Sequence, residues 1–218
     1  MYTAHVPAGE GPFPTIVMMH GWGSNAHDLL GIAPFIHGGE ALVLCPQGPM
    51  AMQIGEGQVG YGWFPISAGG PTDFAALSAS VDRLGAFLDA VLGQYPVDPR
   101  KLVLMGFSQG GVMAYSLALR DPARYAGLVA MSSWLPEEVA SAFATESSGG
   151  ALPILITHGT ADPMIPVGRA QESNETLRKL GYAPIYREYE MQHELRPEAL
   201  RDVVGFLDDK VLSPIALA

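Results

Sequence analysis

The chain has 218 residues, 48% hydrophobic and 16% charged, which suits one domain with a sizeable buried core. Its net charge of −10 argues against nucleic acid as a partner, because phosphates attract basic surfaces. The single cysteine, Cys45, excludes an intrachain disulfide, and no apolar run reaches the ~18 residues of a membrane span.

Short apolar runs alternate with helix-length segments. Strands are predicted at Pro14 to His20, Ala41 to Cys45, Lys101 to Phe107, Tyr125 to Ser132, Leu152 to His158 and Pro184 to Met191. Cys45 ends one such run and is expected to be a buried structural thiol. Helices are predicted from a cap at Thr72 or Asp73 to about Leu92, over Gln109 to Arg120, and over Val167 to Leu180 with Gly181 as its stop. A last helix, Glu198 to Asp209, starts at Pro197. Runs apolar on both faces suit a mostly parallel sheet with helices on both sides, so the class is α/β. Gln47 to Gly70, rich in Gly, Met and aromatics, fits neither element and is long enough to suggest a functional loop. Ala144 to Gly150 reads as a solvated Ser/Gly linker. No repeat or domain break is visible, so 1–218 is expected to be a single domain.

Gly106-Phe107-Ser108-Gln109-Gly110 carries the chemistry. This G-x-S-x-G follows a strand and opens a helix, the context in which the pattern makes a nucleophile elbow. Gly106 and Gly110 permit the sharp turn, and Ser108 stands at the positive end of the helix. Serine needs a base, and six histidines compete. His5 precedes any predicted core element and is expected at the surface. His27 and His37 follow an early strand, and His20 and His158 end strands in His-Gly pairs. His193 alone lies after Ser108 with a further strand and an acid between. Among Asp121, Glu137, Glu138, Asp162, Glu172 and Glu188, only Asp162 sits in a loop straight after an apolar strand, where functional groups of open α/β sheets gather. Asp121 closes the helix at the wrong end of the sheet, and Glu172 lies on a charged helix face. The two oxyanion donors are expected from the N–H of Gln109, next to the nucleophile, and of Trp22, in His20-Gly21-Trp22-Gly23.

With these residues in place, the chain resembles the phospholipase/carboxylesterase family of α/β-hydrolases, which includes small bacterial carboxylesterases and acyl-protein thioesterases. The resemblance spans nearly the whole chain. It rests on Met19-His20-Gly21-Trp22-Gly23, Gly106-Phe107-Ser108-Gln109-Gly110-Gly111, His158-Gly159-Thr160-Ala161-Asp162-Pro163 and His193-Glu194. It implies the α/β-hydrolase fold without a large lid domain, and a triad of Ser108, Asp162 and His193 with donors at Trp22 and Gln109. Three departures stand out. Trp22 replaces a small aliphatic residue, so its indole could narrow the pocket. Gln192 replaces the glycine usual before the histidine. The short N-terminus implies that the family's leading hairpin is trimmed.

The expected reaction is two-step acyl transfer to water, with each oxyanion donor contributing roughly 2.7–4 kcal/mol. No metal-ligand cluster or nucleotide fingerprint is visible, and no cofactor is expected. Apolar candidates for the acyl pocket are Trp22, Trp63, Phe64, Phe107, Trp134, Leu135, Met164 and Ile165. The segment from 50 to 66 reads equally as a flap, as core, or as a partner surface that could support a homodimer. Uncharged short- to medium-chain esters are the expected substrates. A lysophospholipase or acyl-protein thioesterase-like deacylase, a peptidase, and a non-catalytic ligand-binding homologue are the rivals. With no signal peptide at Met1-Tyr2-Thr3-Ala4-His5, a cytoplasmic protein is expected.

Overall fold

In the computed structural model, residues 1–66, 72–143 and 152–212 are described. The Ala144 to Gly150 linker and the end of the Gln47 to Gly70 segment lie outside them. The strands are β1 (Tyr2–His5), β2 (Phe13–Met19), β3 (Leu42–Pro46), β4 (Met50–Gly55), β5 (Gln58–Gly62), β6 (Val97–Phe107), β7 (Gly127–Met131), β8 (Ile154–Gly159) and β9 (Ile185–Tyr189). The α-helices are α1 (Phe74–Leu92), α2 (Gln109–Arg120), α3 (Glu137–Phe143), α4 (Val167–Lys179) and α5 (Pro197–Phe206). Seven strands form one sheet in the order β1-β3-β2-β6-β7-β8-β9, parallel except for β1, and β4 and β5 form a separate hairpin.

Alternation along the strands builds two cores. Val17, Leu104, Leu128 and Ile156 point to the face covered by α1 to α4, where Leu77, Tyr115, Val139 and Leu177 meet them. Ile16, Val43, Met105, Val129 and Leu155 point to the other face. There they meet Ile36 of the 3₁₀ helix Leu30–Gly39, Val203 and Phe206 of α5, and Leu212. Both faces are therefore apolar, as a parallel sheet between helical layers requires.

The first strand, β1, is an antiparallel edge strand paired with β3, not with β2 as its hairpin partner. Two other expectations needed correction. His5 is half-buried rather than at the surface, and its Nε2 bonds the Gly39 carbonyl at 2.9 Å. Much of the supposed loop after Gln47 is the β4–β5 hairpin, tied to the loop after β2 by the Ser24–Tyr61 bridge. The Asp73 cap holds, with its carboxylate accepting from the Ala76 N–H at 3.0 Å. Burial leaves Cys45 a structural thiol and pushes its pKa up to about 12.

Candidate active site

The end of β6 and the start of α2 place Ser108. Its backbone sits at φ 55°, ψ −122°, a conformation sparsely used by non-glycine residues and costing on the order of 1–3 kcal/mol. The turn is held by the Ser108 N–H donating to the Met131 carbonyl at 2.9 Å and by the Gly111 N–H donating to the Ser108 carbonyl at 2.9 Å. A Cβ at Gly106 would collide with the Gly110 carbonyl, and one at Gly110 with the carbonyls of Met19 and His20. Only glycine fits either place, so the pattern's two glycines follow from the closeness of the backbones.

His193 and Asp162 converge on Ser108 from the loops after β9 and β8. His193 Nε2 lies 3.0 Å from Ser108 Oγ, and His193 Nδ1 lies 2.7 Å from Asp162 Oδ2. Two bonds weld these loops together. The Thr160 N–H donates to the Tyr189 carbonyl at 2.8 Å, and the Ala161 N–H donates to the Met191 carbonyl at 3.2 Å. Gly159 lies so close to the carbonyls of Met191 and Gln192 that no side chain fits there. Gln192 itself is exposed and does not adopt a positive φ, so this turn forms without the glycine's freedom.

The Asp162 side chain is fully buried, and its lone pairs are occupied. Oδ1 accepts from the N–H groups of Met164 at 2.8 Å and Ile165 at 2.9 Å. His158 Nε2 donates to the Ile165 carbonyl at 2.8 Å and stands 3.5 Å from Asp162 Oδ2. A carboxylate so supplied with donors stays oriented, with Oδ2 aimed at His193. Burial lowers the pKa of His158, which disfavours a charged imidazolium at this position beside the carboxylate.

The loop after β2 runs beside the elbow: a Cβ on Gly21 would lie 3.3 Å from that of Ser108. The N–H groups of Gly23 and Ser24 are taken by the carbonyls of Tyr61 and Gly21, at 2.9 and 3.3 Å. Gln109 is the first residue of α2, where amides have no intrahelical acceptor. His20 is buried and neutral. Its Nδ1–H donates to the Gly21 carbonyl at 2.8 Å, its Nε2 accepts from the Gly48 N–H at 3.0 Å, and burial lowers its pKa.

The pocket candidates fall in different places. Phe107 lies against the His193 ring, with centroids 4.9 Å apart. Trp134 is half-buried beneath the Arg169 guanidinium, Met164 is exposed, and Ile165 serves Asp162 through its backbone. Leu135 is buried and donates its N–H to Ser173 Oγ at 2.8 Å. Trp63 and Phe64 are core residues beneath the hairpin, and the exposed Trp22 indole lies on Gly62. Two contributors are absent from the expectations: the His158 imidazole and the Gln109 side chain. The latter accepts from the Trp63 N–H at 2.8 Å and donates to the Phe64 carbonyl at 2.7 Å. His158 adjoins Asp162 in the motif, but only its burial shows which way it faces. Among the described residues, no group of three or more His, Cys, Asp or Glu side chains is placed to hold a metal ion, and no helix is long and apolar enough to cross a membrane.

Comparison with known proteins agrees with the fold. The family described as phospholipase/carboxylesterase matches residues 4–211. Acyl-protein thioesterase 1 of Gibberella zeae is 30% identical, with 92% of each chain covered. The structure of esterase PE8 superposes with a TM-score of 0.82 at 25% identity, covering 96% of this chain and 98% of that one. The Bacillus cereus carboxylesterase superposes with a TM-score of 0.81 at 23% identity, covering 96% and 95%. The chain belongs to the phospholipase/carboxylesterase family, serine hydrolases of carboxylic ester bonds built on the α/β-hydrolase fold.

Proposed function

We propose that the chain is a single-domain serine carboxylesterase that cleaves uncharged short- to medium-chain esters through an acyl-serine intermediate. The observation that carries this reading is the unbroken hydrogen-bond path from Ser108 Oγ through His193 to Asp162. His193 Nε2 takes the Oγ proton as Oγ attacks the ester carbonyl carbon. The carbonyl oxygen becomes an oxyanion facing the N–H groups of Trp22 and Gln109. Asp162 accepts from His193 Nδ1–H, which fixes the tautomer and stabilises the imidazolium. Collapse breaks the C–O bond, and the imidazolium gives its proton to the departing alcohol. Water then attacks the acyl-serine, loses a proton to His193, and the proton returns to Oγ as the acid leaves.

The substrate range rests on two features. An acidic chain repels anionic ligands, which favours uncharged esters. The Trp22 indole, beside a donor and stacked on the hairpin, favours shorter acyl groups. The second reading is a deacylase of long-chain thioesters, supported by the fungal relatives named acyl-protein thioesterase. Turnover across p-nitrophenyl esters and acyl thioesters of graded chain length separates them. The first reading expects an optimum at short to medium oxygen esters, and an optimum at long-chain thioesters overturns it.

A further inference from the structure

The two proposed oxyanion donors belong to segments far apart in sequence, the loop after β2 and the start of α2. The residues at the exit of the hairpin, 61 to 64, bond to both. On one side, the Trp63 N–H donates to Gln109 Oε1 at 2.8 Å, and Gln109 Nε2–H donates to the Phe64 carbonyl at 2.7 Å. On the other side, the Trp63 indole Nε1–H donates to the His20 carbonyl at 2.8 Å, and the Trp63 and His20 rings lie 5.2 Å apart. The Tyr61 carbonyl accepts from the Gly23 N–H at 2.9 Å, and the Tyr61 N–H donates to the Ser24 carbonyl at 2.8 Å. Ser80 Oγ holds the Trp63 carbonyl from α1. Gln109 is fully buried and Trp63 nearly so, so water does not compete for these bonds.

We infer that Trp63 is a positioning residue that sets the separation of the two oxyanion donors, bracing the Trp22 loop through its indole N–H and the Gln109 end of the elbow through its backbone. Packing alone does not require this geometry. An apolar ring would fill the same core space, whereas the indole N–H to His20 is one directed bond two residues from the Trp22 amide. A donor slightly out of place binds the substrate carbonyl almost as before and binds the developing oxyanion poorly. The loss therefore falls on kcat rather than KM.

The inference rests on the reading of Ser108 as nucleophile and of Trp22 and Gln109 as donors, and the test separates the two. Trp63→Phe removes the indole N–H, and benzothienylalanine placed at position 63 removes it with the bicyclic shape kept, should the phenylalanine variant not fold. Each is assayed on an oxygen ester and its thionoester, in which sulfur replaces the carbonyl oxygen, after active-site titration with a fluorophosphonate. The expected result is full titration of Ser108, kcat on the oxygen ester lower by about tenfold with KM within about twofold, and a smaller preference for oxygen over sulfur, since the donor is displaced rather than removed. A misfolded fraction would lower titration and leave that preference unchanged. Full titration with kcat and the preference as in the parent overturns the bracing role, as does a lowered kcat with the preference intact. Failure of the parent enzyme to titrate at Ser108 overturns the nucleophile reading instead.

Discussion

His193 Nε2 stands 3.0 Å from Ser108 Oγ although 85 positions separate the two residues in the chain. The sheet brings them together: β6 delivers Ser108 at its carboxyl end, and β8 and β9 deliver Asp162 and His193 at the same end, in register.

Backbone strain at Ser108 predicts an unusual pair of variants. Ser108→Ala and Ser108→Gly both lose the hydroxyl and should both lose turnover. Ser108→Gly also relieves the φ of 55° and should be the more stable, by on the order of 1 kcal/mol after the entropy of the unfolded glycine chain is counted. Thermal unfolding of both variants checks this. A glycine variant less stable than the alanine variant would show that the elbow is not strained.

Asp162→Asn keeps the shape of the acid and should still lower kcat by about 10³–10⁴ at neutral pH, the scale seen when a triad carboxylate becomes an amide. The N–H groups of Met164 and Ile165 hold the position now taken by Oδ1, so the amide oxygen settles there. The amide nitrogen then faces His193 Nδ1 and forces the tautomer whose Nε2 carries a proton and cannot accept one from serine. Steady-state kinetics decide it, and a variant within tenfold of the parent would remove Asp162 from the proposed mechanism.

The two buried neutral histidines predict a pH limit on stability. Burial lowers the pKa of both His20 and His158 below that of an unfolded histidine. Above about pH 6.5 both are neutral in either state, so stability is flat. As pH falls below that value the unfolded chain binds protons that the folded chain refuses. Stability then drops by as much as about 1.4 kcal/mol per pH unit for each histidine, until the folded-state pKa is passed. Urea midpoints between pH 8 and 5 measure the slope. Asp98 and Glu188, whose carboxyls are held below the usual range first by hydrogen bonds from Arg100 and from Gln171, lose their contribution only at lower pH. A flat profile from pH 8 to 5 contradicts the neutral assignments.

Gly110→Ala should destabilise the protein by about 1–3 kcal/mol and abolish activity, because its Cβ would meet the Met19 and His20 carbonyls, which cannot yield without opening β2 from the elbow. Gly205→Ala, in α5 with open space around it, is the control and should be neutral or slightly stabilising. Equal effects at the two positions would refute the close-packed elbow.

The central strands and the elbow were legible in the sequence because their signals are local. Leu102 to Phe107 is a run without a charged or polar side chain, and Ser108 lies between glycines at its end. Hairpin β4–β5 was not, because Met50 to Gly62 mixes glycine, glutamine and glutamate with apolar residues and its strands are largely exposed, giving no clean alternation. β1 has four residues and α3 has seven, too few to show a period. The Gln109 clamp on Trp63 and Phe64 joins residues about 46 apart, and its amide reads as an ordinary polar side chain until the fold shows it buried.

Fluorophosphonate labelling followed by peptide mapping tests the proposed nucleophile most directly. The expected result is one adduct per chain, on Ser108, formed in step with the loss of esterase activity and absent from Ser108→Ala. Activity lost without an adduct on Ser108, or a folded Ser108→Ala protein that keeps most of its rate, would contradict the role assigned to this serine.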